Sequence, residues 1–166
     1  MFVPFDQLPR QARLWIYTMD RPPVGEETPL IESCLQQFCQ QWNVHGSPLQ
    51  SSFSVRYQRF VLLAANEEGG TASGCSIDSS VRVLKYLQQQ TGIDFMDRRH
   101  TAFWINDQVV LYPNSQLKEL FAAGVLTGAT PAFNNLVDNK GDLDVNWVIP
   151  AGQTWLARYI TRGSLV

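Results

Sequence analysis

Ser52-Phe53-Ser54-Val55-Arg56-Tyr57-Gln58-Arg59-Phe60-Val61-Leu62-Leu63-Ala64-Ala65 is the stretch on which the fold turns. Ser52 to Tyr57 and Phe60 to Ala65 read as two strands. The short link Gln58-Arg59 makes them a hairpin, although neither residue favours the left-handed backbone of the tightest hairpin turns.

Upstream, Arg13 to Thr18 reads as a strand, and Arg21-Pro22-Pro23 turns the chain. A helix is expected from about Gly25 to Trp42, with Pro29 tolerated because it falls in the first turn. Its apolar positions, Leu30, Ile31, Cys34, Leu35, Phe38 and Trp42, recur with a helical period. Downstream, Ser76 to Gln90 reads as a second helix that buries Ile77, Val81, Leu84 and Leu87 and ends at Gly92. Thr101 to Ile105 is a fourth strand, and Asn106-Asp107 turns it into a fifth, Gln108 to Tyr112. A short helix, Ser115 to Ala123, stops at Gly124, and Trp155 to Ile160 is strand-like. The first four strands and two helices run β-α-β-β-α-β, the split βαβ order. The expected class is therefore α+β: a ferredoxin-like βαββαβ core with an extra hairpin strand and a C-terminal helix/strand extension.

At 166 residues the chain is expected to form a single domain, 1–166. Apolar residues make up 45%, which argues against disorder, and charged residues only 17%. A lightly charged surface resists self-association poorly, which leaves room for a homodimer. A net charge of −2 gives no reason to expect nucleic acid or an anionic membrane as partner. No apolar run reaches the roughly 18 residues of a membrane span, and Met1-Phe-Val-Pro-Phe-Asp6 has no secretory pattern. Three cysteines without a CxxC suit a reducing cytoplasm, so a cytoplasmic location is expected. Cys34 and Cys39 project to different faces of one helix and make no zinc pair; no metal or cofactor is expected.

The chemistry concentrates in Gly69-Gly70-Thr71-Ala72-Ser73-Gly74-Cys75-Ser76-Ile77-Asp78-Ser79-Ser80. A glycine- and hydroxyl-rich loop that opens a helix offers an anion the amides that lack helical partners. The spacing Gly69-x4-Gly74 imitates the phosphate loop G-x-x-x-x-G-K-[ST], but Cys75 stands where the phosphate-neutralising lysine belongs. Glu67 and Glu68 would repel a triphosphate, so nucleotide hydrolysis is not expected.

Cys75 has two readings. As a thiolate activated by the helix start and a nearby histidine, it is a nucleophile, with the amides of Ser76, Ile77 and Asp78 as oxyanion donors. Otherwise it is a small residue packed at a helix start. The expected topology puts His45, in Val44-His45-Gly46-Ser47-Pro48, at the same sheet end as this loop, with the Asn106-Asp107 turn. It puts His100 at the opposite end, so His45 is the candidate base. Asp78 and Arg82 have ion-pair spacing, and Ser76, Ser79 and Ser80 serve either as anion ligands or as caps.

Gly74-Cys75-Ser76-Ile77-Asp78-Ser79-Ser80, Arg56-Tyr57-Gln58-Arg59-Phe60 and Phe133-Asn134-Asn135-Leu136-Val137 together resemble an uncharacterised bacterial protein family, along nearly the whole chain. The label "ABC transporter ATPase" attaches to some of these proteins. Neither a phosphate-loop lysine nor an LSGGQ-like signature supports that label here. The resemblance implies one intact family domain and no particular chemistry.

Three functions follow from the residues. One is a binding module for a small polar or anionic ligand, at Gly74, Ser76, Ile77, Asp78, Ser79 and Ser80 within the Gly70–Ser80 loop and helix start. Another is a thiol enzyme with Cys75 as nucleophile and His45 as base. The third is an interaction protein without a ligand.

Overall fold

The computed structural model describes residues 1–69 and 74–160, with 74–76 described by their backbone alone. The chain divides into two compact units, each mixing helix with antiparallel sheet. One comprises Met1–Asp97 and Val137–Asp142, the other Arg98–Leu136 and Leu143–Val166.

In the first unit, β1 (Arg13–Thr18) leads into α1 (Glu27–Gln41). A small hairpin of β2 (Asn43–Val44) and β3 (Ser47–Pro48) precedes β4 (Ser51–Arg56), β5 (Phe60–Ala65) and α2 (Gly74–Thr91). The sheet order is β1-β5-β4, with β5 antiparallel to both neighbours. All six residues of β5 are buried, which is why its sequence does not alternate.

Ile31, Leu35 and Cys39 of α1 and Leu84 and Leu87 of α2 lie on one core with Val61, Leu63, Ile93 and Phe95. Each such side chain contributes about 1.5–3 kcal/mol of burial. Val81 and Ile77 are only half-buried, so the core face of α2 lies nearer its C-terminal end than the period suggested. Gly92 ends that helix in the left-handed region at φ +74°, with its N–H on the Gln88 carbonyl at 2.8 Å.

The expected sheet is present in three of its four strands. The order β1-β5-β4 is that of the split βαβ half, but the fourth strand does not join it. That segment, β6 (His100–Ile105), belongs to the second unit and hydrogen-bonds on both edges there. The outer edge of β1 is occupied otherwise. Leu14 N–H donates to Asp138 O at 2.8 Å, Arg13 bridges Asn139, and Asp97 N–H donates to Thr18 O at 3.1 Å. Val137–Asp142 thus lies along the start of that edge and Asp97 at its end, where a ferredoxin-like fourth strand would pair.

In the second unit, β6 turns at Asn106 and Asp107 (φ 51° and 59°) into β7 (Gln108–Pro113), the expected extra hairpin strand. A 3-10 turn leads into α3 (Leu117–Ala122) and then β8 (Pro131–Phe133). The chain passes through α4 (Lys140–Asn146), which begins in the first unit's segment, and reaches β9 (Val148–Pro150). The sheet order is β7-β6-β8-β9 over a core of Phe103, Leu117, Leu126, Ala132, Ala151 and Leu156. Trp155–Tyr159, expected as a strand, is a 3-10 helix. Thr154 Oγ1 accepts from Leu156 N–H at 3.2 Å and donates to Ala151 O at 2.8 Å, which caps that helix locally. Among the described residues no helix is long and apolar enough to cross a membrane.

Candidate functional site

The expected anion loop is only partly placed. Residues 70–73 lie outside the described residues, as do the side chains of Cys75 and Ser76. The backbone of α2 begins at Gly74, two residues earlier than expected. The amides that lack helical partners therefore fall within the first turn from Gly74. Asp78 is exposed, and Arg82 donates Nη2 to Ser79 Oγ at 3.0 Å rather than pairing with Asp78. Ser80 is buried, donates to the Ile77 carbonyl at 2.6 Å and hydrogen-bonds the Tyr17 phenol. Burial raises the pKa of that phenol and the Ser80 contact lowers it. The hydroxyls of Ser79 and Ser80 are thus engaged within the protein.

Pairing of Ser51 with Ala65 brings the approach to β4 and the exit of β5 to one end of the first sheet. Asn66 is tied there, its N–H on Gln50 O at 2.8 Å and its side chain on Gln50 Oε1 at 3.0 Å. Glu67 reaches Arg13 at 3.5 Å, and Glu68 accepts from the Gln11 amide. His45 sits at φ 49° on the exposed tip between β2 and β3. The Cys75 sulfur lies outside the described residues. The Asn106-Asp107 turn and His100 are on β6 and β7, in a different sheet, so the expected gathering of that turn with His45 does not arise from a shared sheet. Among the described residues, no group of three or more His, Cys, Asp or Glu is arranged to hold a metal.

The second unit contains a cleft of about 500 Å³ that sequence reasoning missed. Three segments wall it: Lys118, Phe121 and Ala122 of α3, the Gly124–Gly128 loop, and Arg158, Tyr159 and Ile160. Gly124, at φ +72°, turns the chain off α3, and Leu126 N–H returns to the Leu120 carbonyl at 3.2 Å. Leu126 thereby drops into the core, while Thr127 and Gly128 stay at the rim. Gly128 makes a close approach. A Cβ there would stand 3.1 Å from Ile160 Cδ1, and the Gly128 carbonyl accepts from Gly152 N–H at 2.9 Å.

Phe121 and Tyr159 stack with centroids 5.8 Å apart and planes 15° from parallel, forming one continuous aromatic wall. Tyr159 meets Trp155 edge-on at 5.9 Å, and the Arg158 guanidinium lies 5.8 Å from the centre of the Trp155 ring. A concave, mostly apolar space of this size with a few polar groups at its mouth is the usual form of a small-molecule site. Its only trace in the sequence is the pair of glycines, Gly124 and Gly128, flanking residues 125–127, too common a pattern to single out. Comparison with protein-family models, with curated proteins and with solved structures gives no match to this chain.

Proposed function

We propose that this protein is a binding module for a small organic ligand, and that the ligand occupies the cleft between α3 and the Trp155–Tyr159 helix. The observation that carries this reading is the stacked wall of Phe121 and Tyr159 facing open space of about 500 Å³. Aromatic surface left in a preformed concavity is where an apolar ligand gains most per unit area. The reading asks for no nucleophile or metal. It differs in place from a site at the start of α2, where only the helix terminus itself argues for an anion.

Ligand-induced thermal stabilisation of the parent and of Ala122→Trp tests it. Ala122 is exposed and lines the cleft, so the indole fills the space without entering the core. A compound present at a hundred times its Kd stabilises the parent by about 2.7 kcal/mol. Hits from a small-molecule panel are expected to raise the Tm of the parent and to lose that effect in Ala122→Trp. Hits that stabilise both proteins equally, or a panel without hits, would count against the cleft.

A further inference from the structure

We infer that the cleft selects an organic anion with an apolar body, an inference that rests on the binding reading above. The chain as a whole is acidic, with 15 Asp and Glu against 13 Lys and Arg. The lining of the cleft reverses that balance. Lys118 and Arg158 contribute two positive charges, and none of its residues is Asp or Glu. Glu119 is exposed on the same helix as Lys118 but is not part of the lining.

Lys118 comes from α3 and Arg158 from the 3-10 helix. Arg158 is held rather than loose, because its guanidinium packs on the face of Trp155, which Tyr159 buttresses edge-on. The forked N–H donors of a guanidinium match a carboxylate, sulfonate or phosphate. The lining also includes Phe121, Leu126, Tyr159 and Ile160, none of which carries a charge. The ligand that satisfies both zones places its anionic group at the mouth and its ring or chain on the aromatic wall. A cation with the same body meets like charge, and a neutral body forgoes the electrostatic part of the binding.

The test titrates the full chain with anilinonaphthalene sulfonate and with N-phenylnaphthylamine, which carries the same rings without the sulfonate, at low salt. The sulfonate is expected to bind at one site about tenfold more tightly, a preference of the size that charge pairing at a half-open site supplies. A Lys118→Met/Arg158→Met double variant, with unchanged circular dichroism, is expected to bind the two dyes within about twofold of each other. Equal binding of both dyes by the parent overturns anion selection and leaves the ligand-binding reading standing. Binding of neither dye overturns both. Sulfonate binding that persists in Ala122→Trp places the dye elsewhere and overturns this inference.

Discussion

Arg21 and Glu27 meet fork to fork, Nη1 at 2.8 Å from Oε2 and Nη2 at 2.9 Å from Oε1. The same guanidinium donates to the Thr91 carbonyl at 2.7 Å, so one side chain ties the start of α1 to the last residue of α2. The Arg21 contact, helped by the Val24 amide, lowers the Glu27 carboxyl from 4.5 to about 2. A carboxyl depressed on folding adds stability above its unfolded pKa and loses it as pH falls through the folded one. The contribution is full above about pH 4.5 and fades toward pH 2. The Tm gap between the parent and Glu27→Gln is therefore expected to be a few degrees at neutral pH and to close across that window. A Glu27 titration midpoint by NMR near the unperturbed value would refute the pairing.

Two adjacent buried serines are expected to respond to alanine in opposite ways. Ser51 donates Oγ to the Cys39 carbonyl at 3.1 Å. Ser52 Oγ is buried with no hydrogen-bond partner among the described residues. Ser51→Ala loses a made bond and costs about 1 kcal/mol, whereas Ser52→Ala removes an unsatisfied group and gains up to about 1 kcal/mol. Urea unfolding of the two variants reads the signs directly; a loss in both would mean that the Ser52 hydroxyl is satisfied.

The β4–β5 turn is built from residues that resist it. Tyr57 and Gln58 both adopt positive φ, 53° and 54°, where a side chain costs energy that glycine does not. Gln58→Gly is expected to stabilise the protein by roughly 0.5–1 kcal/mol, and Gln58→Val to destabilise it by at least as much. Thermal melts of the pair decide the matter, and a glycine variant that melts lower would contradict the backbone geometry.

Cys34 and Cys39 are expected to differ sharply towards alkylation. Cys39 is fully buried, and burial lifts its thiol to about 12, offset only in part by the Ser51 contact and the terminal ammonium. Its thiolate is scarce at pH 8, besides being out of reach. Cys34 is partly exposed, and burial raises its thiol as well. Mass spectrometry after brief iodoacetamide treatment of the native protein is expected to find Cys34 modified and Cys39 modified only after denaturant is added. Comparable labelling of both in the native state would contradict the burial of Cys39.

Features written in neighbouring residues were legible in the chain. The spacing of Ile31 and Leu35, the apolar run Phe60 to Ala65 and the stops at Gly92 and Gly124 each rest on a local period or a single backbone preference. Trp155 to Ile160 misled because its apolar content suits a strand, while the capping by Thr154 that makes it a 3-10 helix carries little weight in a pattern. The cleft was invisible for a different reason. Phe121 and Tyr159 are far apart in the chain, and either one alone looks like a core aromatic.

By itself the sequence determined α1, α2 and α3, the β4–β5 and β6–β7 hairpins and the order in which they follow, because short-range sterics and hydrophobic period act between residues a few positions apart; α4, the β2–β3 hairpin, β8 and β9 carry no such local signal. Tertiary structure alone decided which partner each remaining strand edge would use. Thr101 to Ile105 reads as a strand and its pairing with β7 follows from the local Asn106-Asp107 turn, but its other edge is a long-range choice: it pairs with β8, while Val137–Asp142 lies against the start of β1. Long-range packing likewise set α3 against the Trp155–Tyr159 helix, which made the cleft.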